Sequence, residues 1–265
     1  MAEVFYNLPI WVSTVLVLGT ALAIGVGTSF GIRRVFKIKS NDDDIETAVS
    51  LMQVVAAYIG ILIAFAGVEV WQDFDAAETS VHREAAAAAE LYRDLTTYGP
   101  ETQAARQDLR VYTVSIVKDE WPLLAHGEAS QNTEIALARL FAAMGKIRPA
   151  DNRDSAIYSE AFTKLNELVG LRRDRLIQSR SGMPMILWIV GLVGSVLIVA
   201  YTATFRHSRA NIMMIGGISV ALGLVFLFIL IVDRPFMGAY SVSNGELAGL
   251  SQKFDLLDGL NAEKR

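Results

Sequence analysis

Four long apolar runs in this sequence carry no charge: Val4 to Ile32, Thr47 to Val68, Ser181 to Phe205 and Ala210 to Val232. Each is at least as long as the roughly 20 residues that a helix needs to cross about 30 Å of hydrocarbon. Runs this rich in Leu, Ile, Val, Phe and Ala are hard to hold in water. The expected fold is all-α, with four transmembrane helices read as Pro9–Phe30, Leu51–Trp71, Met183–Thr204 and Asn211–Val232. Transport, sensing or assembly therefore comes before soluble catalysis.

The rest of the composition agrees. Mean hydropathy is +0.36. Charged residues are 20% of the chain and concentrate outside the four runs, against roughly 25% in soluble domains. A net charge of −4 gives no reason to expect a nucleic-acid partner. With no cysteine, disulfides, thiol nucleophiles and Cys-bound metals are excluded. Ala21-Leu22-Ala23 imitates a leader cleavage site. However, Glu3 and no Lys or Arg precede the first run, whereas a secretory leader opens with positive charge. An uncleaved first span is expected.

Lys and Arg in short loops mark the cytoplasmic side of the membrane. The loop after the first span has Arg33, Arg34, Lys37 and Lys39, and the loop after the third has Arg206 and Arg209. The segment before the first span has none. These charges place the short loops of an inner-membrane protein in the cytoplasm, with both termini and the long middle segment outside. The acids Asp42, Asp43 and Asp44 count for little in this rule.

The chain thus divides into residues 1–71 (two spans), 72–182 (an extramembrane helical bundle), 183–232 (two spans) and 233–265 (a tail). Neither Gly nor Pro falls between Val68 and Tyr98, so the second span should run on into a long helix with Val81, Ala85, Ala88, Tyr92 and Leu95 on one buried stripe. Gly99-Pro100 stops it. A second bundle helix is expected from Glu101 to Ala125, with Leu109, Tyr112, Ile116 and Leu123 inward. A third carries Ile135, Leu140, Phe141 and Met144. A fourth starts from an Asp151 N-cap and buries Tyr158, Ala161, Leu165, Leu168 and Val169. Ser181, Gly182 and Pro184 break it. The tail should end in an amphipathic helix with Leu247, Leu250, Phe254 and Leu257 docked inward, since its polar face lacks the Lys and Arg of a membrane-surface anchor.

Signals for enzymatic chemistry are nearly absent, and neither a cofactor nor a metal is expected. Gly25, Gly27 and Gly31 lie inside a span, without the strand or the Gly-Lys-Ser/Thr ending of a phosphate loop. The histidines His82, His126 and His207 have no metal-ligand spacing. Small residues say more. Gln53, Ala57, Gly60, Ala64 and Gly67 form one stripe of the second span, which either packs helices closely or leaves room in a pore. Gly19, Ala23 and Gly27 in the first span, with Gly217 and Ala221 in the fourth, resemble it. Glu69 and Asp73 follow where the second span leaves the membrane, and Arg172, Arg173 and Arg175 return to that surface. Acids and bases meeting there are expected to pair at the mouth of a path.

Several motifs in order resemble the bacterial bestrophin-like domain family. They are Trp71-Gln-Asp-Phe-Asp, Arg83-Glu84, Tyr92-Arg93, Glu120-Trp121-Pro122, Arg172-Arg173-Asp-Arg175, Pro184 with Trp188, and Arg234-Pro235-Phe236. The resemblance spans about Leu51 to Leu257. It implies a distant likeness to bestrophins, which are pentameric anion channels whose second span lines a hydrophobic neck. It also implies a body held in the cytosol, opposite to what the local charges give. The tail lacks the acidic cluster that bestrophins use for calcium. The resulting expectation is a homo-oligomeric ion channel, a pentamer by resemblance and with anions as its ions, whose partners are its own copies, the lipid bilayer and inorganic ions. The alternative is a membrane sensor or scaffold acting through the bundle.

Overall fold

The computed structural model describes residue 6 and residues 8–37, 42–205 and 208–262. Glu3, Lys39, Arg206 and His207 lie outside them. All regular structure among the described residues is helical. Helix α1 is Ile10–Phe36 and α2 is Asp42–Tyr98. After a 3-10 turn at Pro100–Thr102 come α3 (Gln103–Ser115), a π turn (Ile116–Glu120), α4 (Trp121–Leu124), α5 (Gln131–Met144) and α6 (Asn152–Gln178). Then follow α7 (Met185–Tyr201), α8 (Arg209–Val232), α9 (Gly245–Ala248) and α10 (Leu250–Ala262). Helices α1, α2, α7 with the 3-10 turn that follows it, and α8 are long and apolar enough to cross a membrane. The chain forms two compact units: Met1–Asp73, Gly182–Arg234 and Gly238–Tyr240 in one, and Phe74–Ser181, Pro235–Met237 and Ser241–Arg265 in the other.

In the membrane unit, glycines set the approach of the helices. A Cβ on Gly25 would fall 1.8 Å from Ser219 Oγ, and one on Gly223 would fall 2.8 Å from Ala21 Cβ. Ala21 and Gly25 on α1 therefore face Ser219 and Gly223 on α8, small residues four apart on both helices. The small residues singled out in the sequence lie two positions away from this seam, and among the described residues Cβ atoms on Gly19, Gly27 and Gly217 would meet nothing within 4 Å. Small residues permit contact in several registers, and the bulk of the facing helix selects one. On α7, Gly194 receives Ile59 of α2, 2.4 Å from a virtual Cβ, and Gly191 receives Phe226. The linker before α7 is held by Asp233, whose Oδ1 accepts from the Met183 N–H at 2.5 Å.

The bundle unit buries the expected stripes. Val81, Ala85, Ala88, Tyr92 and Leu95 are each at most 1% exposed, and Leu109, Tyr112, Ile116, Leu165 and Leu168 are fully buried. Asp151 caps α6 by accepting from the Asp154 N–H at 2.8 Å. Two positions depart from the pattern. Ile135 is 44% exposed, and the next fully buried apolar residue after Ile116 is Leu124, with Leu123 half-buried. Pro122 lacks an N–H, and the chain takes a π turn just before it. Within that turn the Trp121 N–H reaches back five residues to the Ile116 carbonyl. The extra residue rotates everything that follows. Leu247, Leu250 and Phe254 are at most 2% exposed, so the tail docks on the bundle as expected.

Candidate functional site

The second span presents three faces. Ile63, Ala66 and Val70 are buried, together with part of Ile59. Gln53, Ala57, Gly60 and Ala64 are exposed, and Gly67 touches only the Phe228 ring edge, at 3.8 Å from a virtual Cβ. At about 100° per residue this stripe is centred about 110° from the packed face. The third face carries Val54, Tyr58, Ile61, Phe65 and Val68, from 53% to 69% exposed. Exposed Glu69 and Asp73 continue from the edge of that third face, about 180° from the small stripe. The stripe, read from the sequence as either a packing surface or a pore lining, and the acids thus lie on opposite sides of the helix.

Two of the three arginines are taken up inside the bundle. On α6, Arg172 and Arg175 follow Ala161, Leu165 and Leu168 at steps of three and four, so the buried stripe carries them into the bundle. Arg175, fully buried, donates from Nε and Nη2 to the two oxygens of Glu84 at 2.6 and 3.0 Å, and from Nη2 to Glu120 Oε1 at 2.9 Å. Arg172 grips Glu120 through Nε and Nη2 at 3.1 and 2.6 Å, and reaches Glu134 Oε2 through Nη1 at 2.6 Å. The Ser130 N–H adds a bond to Glu120 at 3.3 Å. The expected pairing of Glu69 and Asp73 with Arg172 and Arg175 is therefore wrong, because both guanidiniums are committed to Glu84, Glu120 and Glu134. Arg173, on the opposite side of α6, is exposed.

Burial by itself would raise the Glu120 carboxyl, but the Arg172 hydrogen bond and the charges of Arg175 and Arg172 outweigh it, and the net shift is downward. Burial likewise works against both guanidinium charges, and their carboxylate partners overcome it. Desolvation pushes the Tyr112 phenol well above its usual value, with the Glu84 charge adding to the effect. Glu84 and Glu120 are both fully buried. Charges at such depth persist only when paired and hydrogen-bonded.

Within the bundle unit, several motifs read from the sequence meet at this cluster. The Arg175 guanidinium lies 5.7 Å from the centre of the Trp121 ring, and Trp121 meets Phe236 edge-on at 5.7 Å. The Pro235 carbonyl accepts from the Val242 N–H at 2.7 Å, which closes the turn presenting Phe236. In the membrane unit, Trp71 stacks on Phe228, Trp188 stacks on Phe226, Pro184 precedes α7, and Arg234 lies against Gly182. A sequence profile of the Bestrophin-like domain matches residues 19–247. This chain belongs to the bestrophin-like family. Its fold is that of a bacterial bestrophin homologue from Klebsiella pneumoniae, with a TM-score of 0.71 and 14% identity over 92% of this chain and 98% of that one. A variant of that homologue aligns with a TM-score of 0.70 and 14% identity, over 93% and 99% of the two chains. No curated protein matches the sequence.

This bestrophin-like chain also holds its tail by a clasp that sequence reading missed. The Tyr92 hydroxyl donates to Asp258 Oδ2 at 2.6 Å, and Tyr92 stacks on Phe254 with ring centres 4.0 Å apart. Arg106 and Arg110 reach Asp258 at 2.8 and 2.9 Å, and Arg110 also reaches Asp255 at 2.7 Å. Burial would raise the Asp258 carboxyl, but hydrogen bonds from Tyr92 and Arg110 hold it below its ordinary value. For both ionic clusters the signal was a charge on an apolar stripe. Glu84 sits beside Ala85, Glu120 follows Ile116 by four, and Arg172 follows Leu168 by four.

Proposed function

We propose that this chain assembles with its own copies into an ion channel of the inner membrane, with α2 lining the path. The observation that carries the reading is the three-faced second span. One face packs on the chain itself, a small-residue face suits a neighbouring copy, and a bulky apolar face suits a constriction. In this arrangement Ile61 and Phe65 form the neck, Glu69 and Asp73 stand at its mouth, and Gln53, Ala57, Gly60, Ala64 and Gly67 pack against the next subunit. Membership of the bestrophin-like family supports it.

The resemblance to bestrophins implies anions, but the charges of α2 favour cations. Every Lys, Arg, Asp or Glu from Asp42 to Val81 is an acid, and Arg172 and Arg175 are spent inside the bundle. A run of carboxylates at both ends of a path, with no Lys or Arg between them in the sequence, concentrates cations. The test is current through purified protein in liposomes under a KCl gradient. A reversal potential on the cation side supports the whole reading. A value on the anion side keeps the channel and overturns its ion. Flux equal to that of protein-free liposomes would return the protein to the sensor or scaffold class.

A further inference from the structure

The membrane unit holds a cavity of about 470 Å³ between α1, α7 and α8, with walls that include Leu16, Thr20, Ile24, Val196, Ser219 and Phe226. Two of its hydroxyls are already spent. Ser195 donates to the Gly191 carbonyl and Ser219 to the Ile215 carbonyl, each at 2.8 Å. A cavity of this lining is dry, and engineered apolar cavities of about 150 Å³ already take up benzene or xenon. Its walls come from the middle of three spans, where the available solvent is hydrocarbon.

A second observation lies further along the same helix. Thr20, Ile24, Gly27, Gly31 and Arg34 recur at steps of four, three, four and three, which is one face of α1. Among the described residues, Cβ atoms on Gly27 and Gly31 would meet nothing within 4 Å, which leaves this face open between the cavity and the helix end. There a second pocket is lined by Phe30, Gly31, Arg33 and Arg34. Arg34 and Lys37 are exposed, and the Arg33 Nη1 donates to the Phe205 carbonyl at 2.5 Å. From Ile24 to Arg34 the helix rises about 15 Å, the depth of one leaflet of a hydrocarbon core about 30 Å thick.

We infer that this face of α1 is a binding site for one anionic phospholipid, with an acyl chain in the cavity and the phosphate at Arg34. The open glycine face is the groove through which the chain descends, and the helix C-terminus favours the cations that hold the headgroup. Acids Asp42, Asp43 and Asp44 belong to the opposite pole, the N-terminus of α2, where they complement its dipole.

The test is native mass spectrometry of delipidated protein in mild detergent. The probes are phosphatidylglycerol, phosphatidylcholine and free glycerol phosphate. One phosphatidylglycerol per chain should be retained in preference to phosphatidylcholine. Arg34→Gln should weaken it about fivefold, one surface cation's share, without changing phosphatidylcholine binding. Gly31→Leu, whose Cβ meets nothing within 4 Å among the described residues, should block both lipids. Equal retention by wild type and both variants would overturn the site. Displacement of phosphatidylglycerol by millimolar glycerol phosphate would overturn the acyl-chain part. If Gly31→Leu left lipid binding intact but dissociated oligomers, the face would be a contact between copies and the inference would fail.

Discussion

Replacing Arg175 by Met removes the guanidinium that Glu84 is bonded to among the described residues, while Glu120 keeps Arg172 and the Ser130 N–H. Glu84 is then a fully buried carboxylate with no compensating charge. Loss of one member of such a pair costs about 3–5 kcal/mol. At about 2–4 °C per kcal/mol for a unit of this size, the unfolding midpoint should fall by about 6–20 °C. Arg172→Met should cost less, about 1.5–3 kcal/mol, because Arg175 and Ser130 still hold Glu120. Glu134→Ala, at the 68% exposed end of the network, should cost at most about 1 kcal/mol. Combining Arg175→Met with Glu84→Leu should recover most of the loss, since an apolar pair of similar volume often replaces a buried ion pair without penalty. The assay is thermal and denaturant unfolding of the purified protein in detergent, followed by circular dichroism. An Arg175→Met variant as stable as wild type, or a double variant no better than the single one, would refute the argument that compensation of Glu84 holds this core together.

Gly60→Leu should leave the chain folded, because a Cβ there meets nothing within 4 Å among the described residues, yet it should weaken assembly. Gly25→Leu, which collides with Ser219, should instead destabilise the chain itself, and native mass spectrometry beside thermal melts separates the two outcomes. A folded, fully assembled Gly60→Leu protein would remove the small-residue stripe from the subunit contact. Reporter fusions at Ser40 and Gly127 should report opposite sides of the membrane, with Gly127 outside; a cytoplasmic signal at Gly127 would instead give the orientation that the bestrophin resemblance implies. The lowered Asp258 carboxyl makes the tail clasp stronger above the ordinary carboxylate pKa of about 3.9 and weaker as pH falls through the native value below it. Hydrogen exchange across Leu250–Ala262 should therefore stay slow from pH 7 to 5 and quicken below about pH 4. Unchanged protection in Arg110→Ala at neutral pH would show that the clasp contributes nothing.

Charge-free length alone determined that four helices of this chain can cross a membrane, because crossing hydrocarbon requires about 20 apolar residues in a row. Periodicity determined the bundle stripes Val81 to Leu95 and Ala161 to Leu168, the Asp151 cap and the inward face of the tail, since each depends on local spacing. Three features needed the tertiary structure. The α1–α8 seam runs through Ala21, Gly25, Ser219 and Gly223, because several small-residue registers were available and only the facing helix chose among them. Leu124 replaced Leu123 in the core, because a π turn before Pro122 added a residue that no 3.6-residue period anticipates. Arg172 and Arg175 went to Glu84 and Glu120 instead of Glu69 and Asp73, because ion pairing depends on distance in space, and folding brings together carboxylates 52 to 91 residues away along the chain.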